Sequence, residues 1–133
     1  MFQKREQFLE RGEIEDLQLE RIRKQVKHAY DNVKFYRRKF REKGITPEDI
    51  KTHEDVYKIP FTVKDDLRDH YPYGIVAVDL GEINRIHASS GTTGTPTVVT
   101  YTTADLERWS DLMARCYSCA GVGPGDIIQN AYG

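Results

Sequence analysis

A run of hydroxyl and glycine residues between two β-type segments constrains this 133-residue chain more than any other feature. Residues 83–87 and 97–101 both have the composition of β-strands, and the pair Val98-Val99 gives the strongest β signal. Two strands joined by a short polar run predict a β-hairpin with its loop in solvent. The loop consists of Ser89, Ser90, Gly91, Thr92, Thr93, Gly94 and Thr95.

The composition of this loop suits a polyphosphate ligand. Glycines allow positive φ and close approach, successive backbone N–H groups converge into an anion nest, and hydroxyls donate to phosphate oxygens. The glycine spacing is G-x-x-G, which differs from the G-x-x-x-x-G-K-[ST] of the Walker loop. A plain hairpin turn explains the same composition without a ligand, and the residues alone favour that interpretation.

Several longer strings together resemble one protein family. Ser-Ser-Gly-Thr-Thr-Gly-x-Pro-Thr at residues 89–97 is similar to the phosphate loop of the adenylate-forming superfamily. Ile-Pro-Phe-Thr-Val-Lys-Asp-Asp-Leu-Arg at 59–68, Tyr-Pro-Tyr-Gly at 71–74 and Asn-Ala-Tyr-Gly at 130–133 narrow the resemblance to the phenylacetate–coenzyme A ligase family. The resemblance runs from about residue 19 to residue 133.

This resemblance implies an acid–thiol ligase. In that family a carboxylate attacks the α-phosphate of Mg-ATP, which gives an acyl-adenylate and pyrophosphate, and coenzyme A then displaces AMP. The implied cosubstrates are ATP, Mg²⁺ and coenzyme A, and the implied substrate is phenylacetate or a related aryl acid. The chemistry rests on positioning and on neutralising the charge of the departing pyrophosphate.

Individual positions carry over as the resemblance implies. Ser89, Ser90, Gly91, Thr92, Thr93 and Gly94 match the phosphate loop. Thr95 stands where many relatives carry lysine, which weakens the expected grip on a triphosphate. Tyr132 is expected to line the aryl pocket, with a core aromatic as an equal alternative. His87 is expected either to contact phosphate or to be satisfied by local hydrogen bonds.

The family's adenine-binding segment, ribose-binding aspartate, magnesium glutamate and catalytic lysine have no counterpart in residues 1–133. We therefore assign no catalytic residue and no metal ligand. The expectation is an N-terminal fragment that is inactive alone. Two alternatives stay open, namely a sister enzyme that adenylates another acid and a standalone phosphate-binding or interaction module.

The expected fold class is α/β, with an N-terminal helical segment, the phosphate-loop hairpin and the incomplete start of an adenylate-forming sheet. Residues 1–80 are predicted as the helical region and residues 81–133 as the beginning of the adenylation subdomain. Helices are predicted over 13–31, after residue 34 and over 103–120. The aromatic residues of the second helix are expected in the core, and the apolar stripe of the last helix, from Leu106 to Ala120, is expected to be buried. A turn at 123–126 leads into a strand predicted over 127–130. Thr46, Thr52 and Thr62 are predicted to cap short helices, each with an aspartate three residues later.

Composition excludes some classes. No apolar run approaches the ~18 residues of a membrane helix, and no signal peptide is recognisable, which predicts a cytoplasmic protein. Cys116 and Cys119 are expected as core residues of the last helix, since a metal or redox pair lacks further ligands. Residues 21–43 carry ten Lys/Arg against Asp31 and Glu42, a local charge of +8.

The basic segment allows three interpretations. A solvated helix face is favoured over a nucleic-acid or membrane surface, and a third interpretation is contact with an acidic surface in a larger protein. The expected partners are therefore the acid, ATP and coenzyme A, without nucleic acid or membrane. Homodimerisation is left open.

Overall fold

The computed structural model describes residues 8–89 and 94–131. In chain order the regular elements are helix α1 (Arg11–Asn32), helix α2 (Lys34–Glu42), helix α3 (Lys64–Asp69), strands β1 (Ile83–Ala88) and β2 (Val98–Thr102), and helix α4 (Thr103–Cys119). Short 3₁₀ helices lie at Pro47–Asp49, Glu54–Lys58 and Leu80–Glu82. The α/β class and the hairpin are confirmed.

The core of the described chain lies among the helices. Val33, at the corner between α1 and α2, is 1% exposed, and Ile50 is fully buried. Phe40 packs edge-on against Tyr30, with ring centroids 5.7 Å apart, and Phe35 is buried on the same helix. The aromatic residues of α2 were predicted as core, and Phe35 and Phe40 confirm that prediction.

Aspartates fix the starts of the short helices. Asp49 accepts hydrogen bonds from the Thr46 N–H at 2.8 Å and the Thr46 hydroxyl at 3.1 Å, as predicted. Asp55 accepts from the Thr52 N–H at 2.8 Å, but the predicted cap is wrong by one residue, because this helix begins at Glu54 with His53 as its N-cap. Since aspartate reaches a backbone N–H three residues earlier, each satisfies a donor that the helix leaves unpaired.

The predicted cap of α3 is wrong by one residue. The structure begins α3 at Lys64, and Asp66, not Asp65, accepts the Val63 N–H at 2.9 Å. Asp66 also accepts from Lys39 Nζ of α2 at 2.6 Å. This long-range ion pair fixes the position of Asp66, and local sequence contains no sign of it.

The predicted burial of α4 is also wrong. Within the described residues α4 packs mainly on β2, so Leu106 and Trp109 are half-buried while the rest of its apolar stripe is exposed. Cys116 and Cys119 are exposed as well, which contradicts their assignment to the core. A helix buries a whole apolar stripe only when elements cover all of it.

The predicted strand at 127–130 does not form in the described chain. Ile127 is 99% exposed, and no described strand pairs with this segment. The turn before it is present as expected, because Gly125 has φ +96° and the Asp126 carboxylate accepts the Gly123 N–H at 2.7 Å. A β-type sequence without a hydrogen-bonding neighbour has no ladder to join.

Candidate functional site

The hairpin positions the predicted phosphate loop. β1 and β2 pair antiparallel, with His87 opposite Val99 and Ala88 opposite Val98. Beyond this last pair, the Ser89 N–H donates to the Thr97 carbonyl at 3.0 Å, and the Thr97 N–H donates to Ser89 Oγ at 3.0 Å. These two bonds join the two strands at the base of the loop.

The other end of the hairpin is tied to α4. An irregular pairing at Asn84 shifts the register between Ile83 and Arg85, and the Asn84 side-chain amide donates to the Thr103 hydroxyl. Thr102 caps α4, because its hydroxyl accepts the Asp105 N–H at 3.2 Å. The hairpin and α4 are thus joined without an intervening loop.

An aromatic cluster supports the loop-proximal half of the hairpin. His87 of β1 and Tyr101 of β2 lie diagonally across the sheet with ring centroids 5.1 Å apart. Trp109 of α4 stacks on Tyr101 at 5.4 Å and meets His87 edge-on at 5.7 Å. Each such pair contributes about 0.5–1.5 kcal/mol beyond simple burial. The cluster therefore holds both strands against α4 two residues before the loop begins.

The structure describes part of the predicted site. Ser89 and Thr95 are exposed, and Gly94 has φ +127°, a value that side-chain-bearing residues rarely adopt. Ser90, Gly91, Thr92, Thr93 and Tyr132 lie outside the described residues. His87 does not show the local hydrogen bonding that one interpretation expected, and its observed environment within the described chain is aromatic.

Carboxylates near the hairpin serve as caps. A hydrogen bond from the Thr102 backbone N–H is the main reason that the pKa of Asp105 lies below its usual range, and a hydrogen bond from the Thr102 hydroxyl lowers this pKa further. Within residues 8–89 and 94–131, no group of three or more His, Cys, Asp or Glu residues is arranged to hold a metal ion.

The sequence reasoning missed three supporting residues. Asn84 and Thr97 fix the two ends of the hairpin, and Tyr101 carries the centre of the aromatic cluster. The Thr97 hydroxyl is buried without a hydrogen-bond partner among the described residues. Residues two apart on a strand lie on the same face of the sheet. The spacing of His87 and Ser89 is therefore the sequence signal that places them on one face.

A shallow groove of about 400 Å³ runs behind the hairpin, between β2, α1 and the chain before β1. Val98 and Thr100 line it from β2, His28 from α1 and Val76 from the intervening segment. The hairpin therefore lies beside the helical region, across this groove.

The chain is similar in sequence to phenylacetate-coenzyme A ligases. No protein-family model matches the chain. It is 53% identical over 116 residues to the phenylacetate-coenzyme A ligase of Pseudomonas putida, covering 87% of this chain and 26% of that protein. Against the phenylacetate-coenzyme A ligase of Thermus thermophilus the identity is 47% over 133 residues, covering 100% of this chain and 30% of the relative.

A solved structure agrees with these matches. The crystal structure of 2-hydroxyisobutyryl-CoA ligase in complex with 2-HIB-AMP and CoA aligns with a TM-score of 0.82 and 35% identity. The alignment covers 89% of this chain and 26% of that one. The resemblance to phenylacetate–CoA ligases is thereby confirmed, as is a fold shared with part of the adenylate-forming CoA ligases. The chain spans less than a third of the length of these relatives.

Proposed function

We propose that this homologue of part of the phenylacetate–CoA ligases is the N-terminal part of an AMP-forming aryl-CoA ligase. The observation that carries the proposal is the identity of 47–53% over 87–100% of the chain; the match at 47% spans all 133 residues and so includes both strands of the hairpin and its loop. The proposed reaction activates phenylacetate, or a related aryl acid, with ATP and transfers the acyl group to coenzyme A.

In the proposed reaction, an acid oxygen forms a bond to the α-phosphorus of ATP, and the bond to the pyrophosphate oxygen breaks. The thiol sulfur of coenzyme A then bonds to the acyl carbon, AMP leaves with the bonding electron pair, and the thiol proton passes to solvent. Negative charge accumulates on the departing pyrophosphate, so donors already aimed at that position lower the barrier.

We assign that task to the loop. Backbone N–H groups and hydroxyls of residues 89–95 are proposed to bind the β- and γ-phosphates, and Ser89, Gly94 and Thr95 are the members of this loop that the structure describes. The closure of Ser89 on Thr97 and the aromatic cluster limit the entropy lost when the loop binds an anion. Mg²⁺ is proposed to arrive with ATP as its counter-ion, and Tyr132 is proposed for the aryl pocket.

The proposed organisation places the helical region at residues 1–80 and the start of the adenylation subdomain at residues 81–133. The contact pattern supports this boundary. α1 packs with α2 and the Pro47–Asp49 helix, whereas β1, β2 and α4 pack with one another. The proposed protein acts in the cytoplasm, and within the described ranges no helix has the length and apolar character of a bilayer crossing.

A sister activity has one observation in its favour. The aligned crystal structure belongs to a ligase for 2-hydroxyisobutyrate, a small hydroxy acid without an aryl ring. The identity with that enzyme is 35%, against 47–53% with the phenylacetate ligases. The higher identity favours an aryl acid over a hydroxy acid.

A chimeric enzyme tests the proposal. The matched 116-residue segment of the Pseudomonas putida ligase is replaced by the corresponding residues of this chain. Phenylacetate-dependent AMP formation is expected within about tenfold of the parent, a loss of at most ~1.4 kcal/mol. A folded chimera without that activity would contradict the proposal. Greater activity with 2-hydroxyisobutyrate would favour the sister enzyme.

The 133-residue chain itself serves as the companion sample. We expect no acid-dependent AMP release from it, because the residues that carry the family's remaining chemistry lie outside this sequence. Measurable release from the pure chain would overturn the fragment interpretation. ATP binding by the chain without turnover would be equally consistent with a standalone phosphate-binding module, which an active chimera would exclude.

A further inference from the structure

Helix α2 presents a row of exposed cations. Lys34, Arg38 and Arg41 are exposed and lie four and three residues apart, which places them on one helix face. We call these three residues the α2 stripe. With a rise of 1.5 Å per residue the stripe is about 10 Å long. Together with Arg37 and Glu42 it lines a shallow groove of about 350 Å³.

The position of these charges opposes helix formation. Lys34 is the first residue of α2, and the first turn contains no acidic residue. A cation at a helix N-terminus meets the positive end of the macrodipole, and like charges three or four residues apart repel each other. Of the three residues in the stripe, only Arg41 lies in the last turn, where the helix dipole favours a cation. A local choice that conflicts with the fold indicates a role other than stability.

Other acids of the chain leave the stripe largely uncompensated. Glu42 approaches Arg38 at 3.6 Å, in a pair that is exposed on both sides. Neither Lys34 nor Arg41 forms an ion pair with a described acidic residue. Exposed pairs of this kind contribute about 0–1 kcal/mol, so the stripe keeps most of its capacity to bind an anion.

The opposite face of α2 makes the stripe rigid. Phe35 and Phe40 are 3% exposed, and Lys39 joins α3 through Asp66 at 2.6 Å. The guanidinium of Arg37 donates to the carbonyl of Tyr30 at 3.1 Å, which fixes the corner between α1 and α2. Because the backbone of the stripe is already ordered, a partner loses little free energy in ordering it.

We propose that the α2 stripe is an interaction surface for a carboxylate-rich protein partner. The planar forks of Arg38 and Arg41 fit carboxylates in pairs. Acidic side chains three or four residues apart on a partner helix have the same spacing of about 5–6 Å. This surface is separate from the hairpin loop, and the proposal does not depend on the ligase function.

Two observations favour protein over nucleic acid as the partner. Single-stranded nucleic acids are bound by basic grooves with aromatic stacking platforms, whereas Phe35 and Phe40 of α2 are buried. The whole chain has a net charge of −1 and a pI of about 6.4, while a nucleic-acid-binding domain typically exceeds a pI of about 9.

The test measures binding of fluorescein-labelled poly-L-glutamate by fluorescence anisotropy. The triple variant Lys34→Gln, Arg38→Gln, Arg41→Gln is expected to bind about tenfold more weakly than the unmodified chain at low salt. A charge-matched control changes Lys51→Gln, Lys64→Gln and Arg85→Gln, away from α2, and is expected to lose less than about twofold. The single variant Arg41→Gln is expected to lose about threefold.

The folded state has its own readout. Because the triple variant removes like-charge repulsion within α2, its thermal midpoint is expected to stay level or rise. Equal losses in the triple and control variants would overturn the proposal, as would tighter binding to an oligothymidylate of equal charge. Loss of self-association in the triple variant, with poly-L-glutamate binding unchanged, would identify a second copy of this chain as the occupant and overturn it too.

Discussion

The two halves of the described chain differ in how deeply they bury their side chains. In residues 8–80 the helices enclose Val33, Phe35, Phe40 and Ile50, each at most 3% exposed. In the described part of residues 81–133 no side chain reaches that degree of burial. The hairpin and α4 share only the half-buried cluster of His87, Tyr101 and Trp109.

Because of this difference, we expect stability and ligand binding to depend on different halves of the chain. The helical half has a core of its own, and its helices are capped and tied together by the Lys39–Asp66 ion pair. The hairpin half exposes Ser89, Gly94 and Thr95 at one end and an apolar helix face at the other, with Leu112 51% exposed. Stability is therefore expected to come mainly from the first half, and ligand binding from the second.

The largest expected effect removes an aromatic side chain from the helical core. Phe40→Ala deletes a ring that is 3% exposed and packs on Tyr30, so the free energy of unfolding should fall by about 3–5 kcal/mol. Leu112→Ala on the exposed face of α4 is the control, with an expected loss below about 1 kcal/mol. Urea denaturation followed by circular dichroism measures both. Comparable losses would contradict the difference between the halves.

A smaller effect is expected at a crowded glycine near the boundary. A Cβ built at Gly74 would lie 2.8 Å from the His70 carbonyl oxygen, so Gly74→Ala should destabilise the fold by about 1–3 kcal/mol. Gly81 has no atom within 4 Å of a built Cβ, and Gly81→Ala should change stability by less than about 1 kcal/mol. Thermal unfolding distinguishes them, and equal midpoints would show that the turn at 70–74 yields without strain.

The next prediction concerns two glycines with positive φ, one in each half. Gly94→Ala, at φ +127° beside the loop, is expected to weaken ATP binding about tenfold through ~1–3 kcal/mol of backbone strain. Gly44→Ala, at φ +67° after α2, is expected to reduce stability by ~1 kcal/mol and to leave ATP affinity unchanged. Isothermal titration calorimetry with Mg-ATP provides the measurement. An unaltered affinity in the Gly94 variant would remove this glycine from the proposed site.

The smallest effect is a dependence on pH. A hydrogen bond from the Lys39 side chain is the main reason that the pKa of Asp66 lies below its usual range, and a hydrogen bond from the Val63 N–H lowers this pKa further. A depressed folded-state pKa contributes stability above the ordinary pKa near 3.8, and this contribution disappears as the pH falls through the lowered value. Asp66→Asn should therefore be less stable than the unmodified chain at pH 7, with the difference shrinking below about pH 4.

Asp105→Asn is the matched control in the other half, because its carboxylate serves a local cap at Thr102 and its pKa is also lowered. Unfolding curves of both variants across acidic pH test the comparison. The single tryptophan, Trp109, reports the hairpin half by fluorescence, and circular dichroism reports the helices. If Asp66→Asn shifted only the tryptophan signal, the ion pair would not stabilise the helical half.

Local sequence was sufficient for the elements whose signals act over a few residues. The apolar periodicity predicted α1 and α4, and the β-branched run with its glycines predicted the hairpin. Thr46 caps its helix as predicted, because its partner Asp49 is only three residues away, and Thr52 forms the expected hydrogen bond to Asp55 although the helix begins one residue later than predicted. The resemblance to the CoA ligases likewise rested on short strings, and the comparisons confirmed it.

Tertiary contacts decided the remainder. The sequence marked the stripe of α4 and the segment 127–130 as apolar, but burial and strand pairing depend on a second surface, and the described chain covers neither. At the start of α3 Asp66 takes the place predicted for Asp65, and Asp66 also forms an ion pair with Lys39, which is 27 residues away in the sequence. The register between β1 and β2 brought His87 to Tyr101, and α4 brought Trp109 to both. Periodicity determines which face is apolar, whereas only packing determines what that face meets.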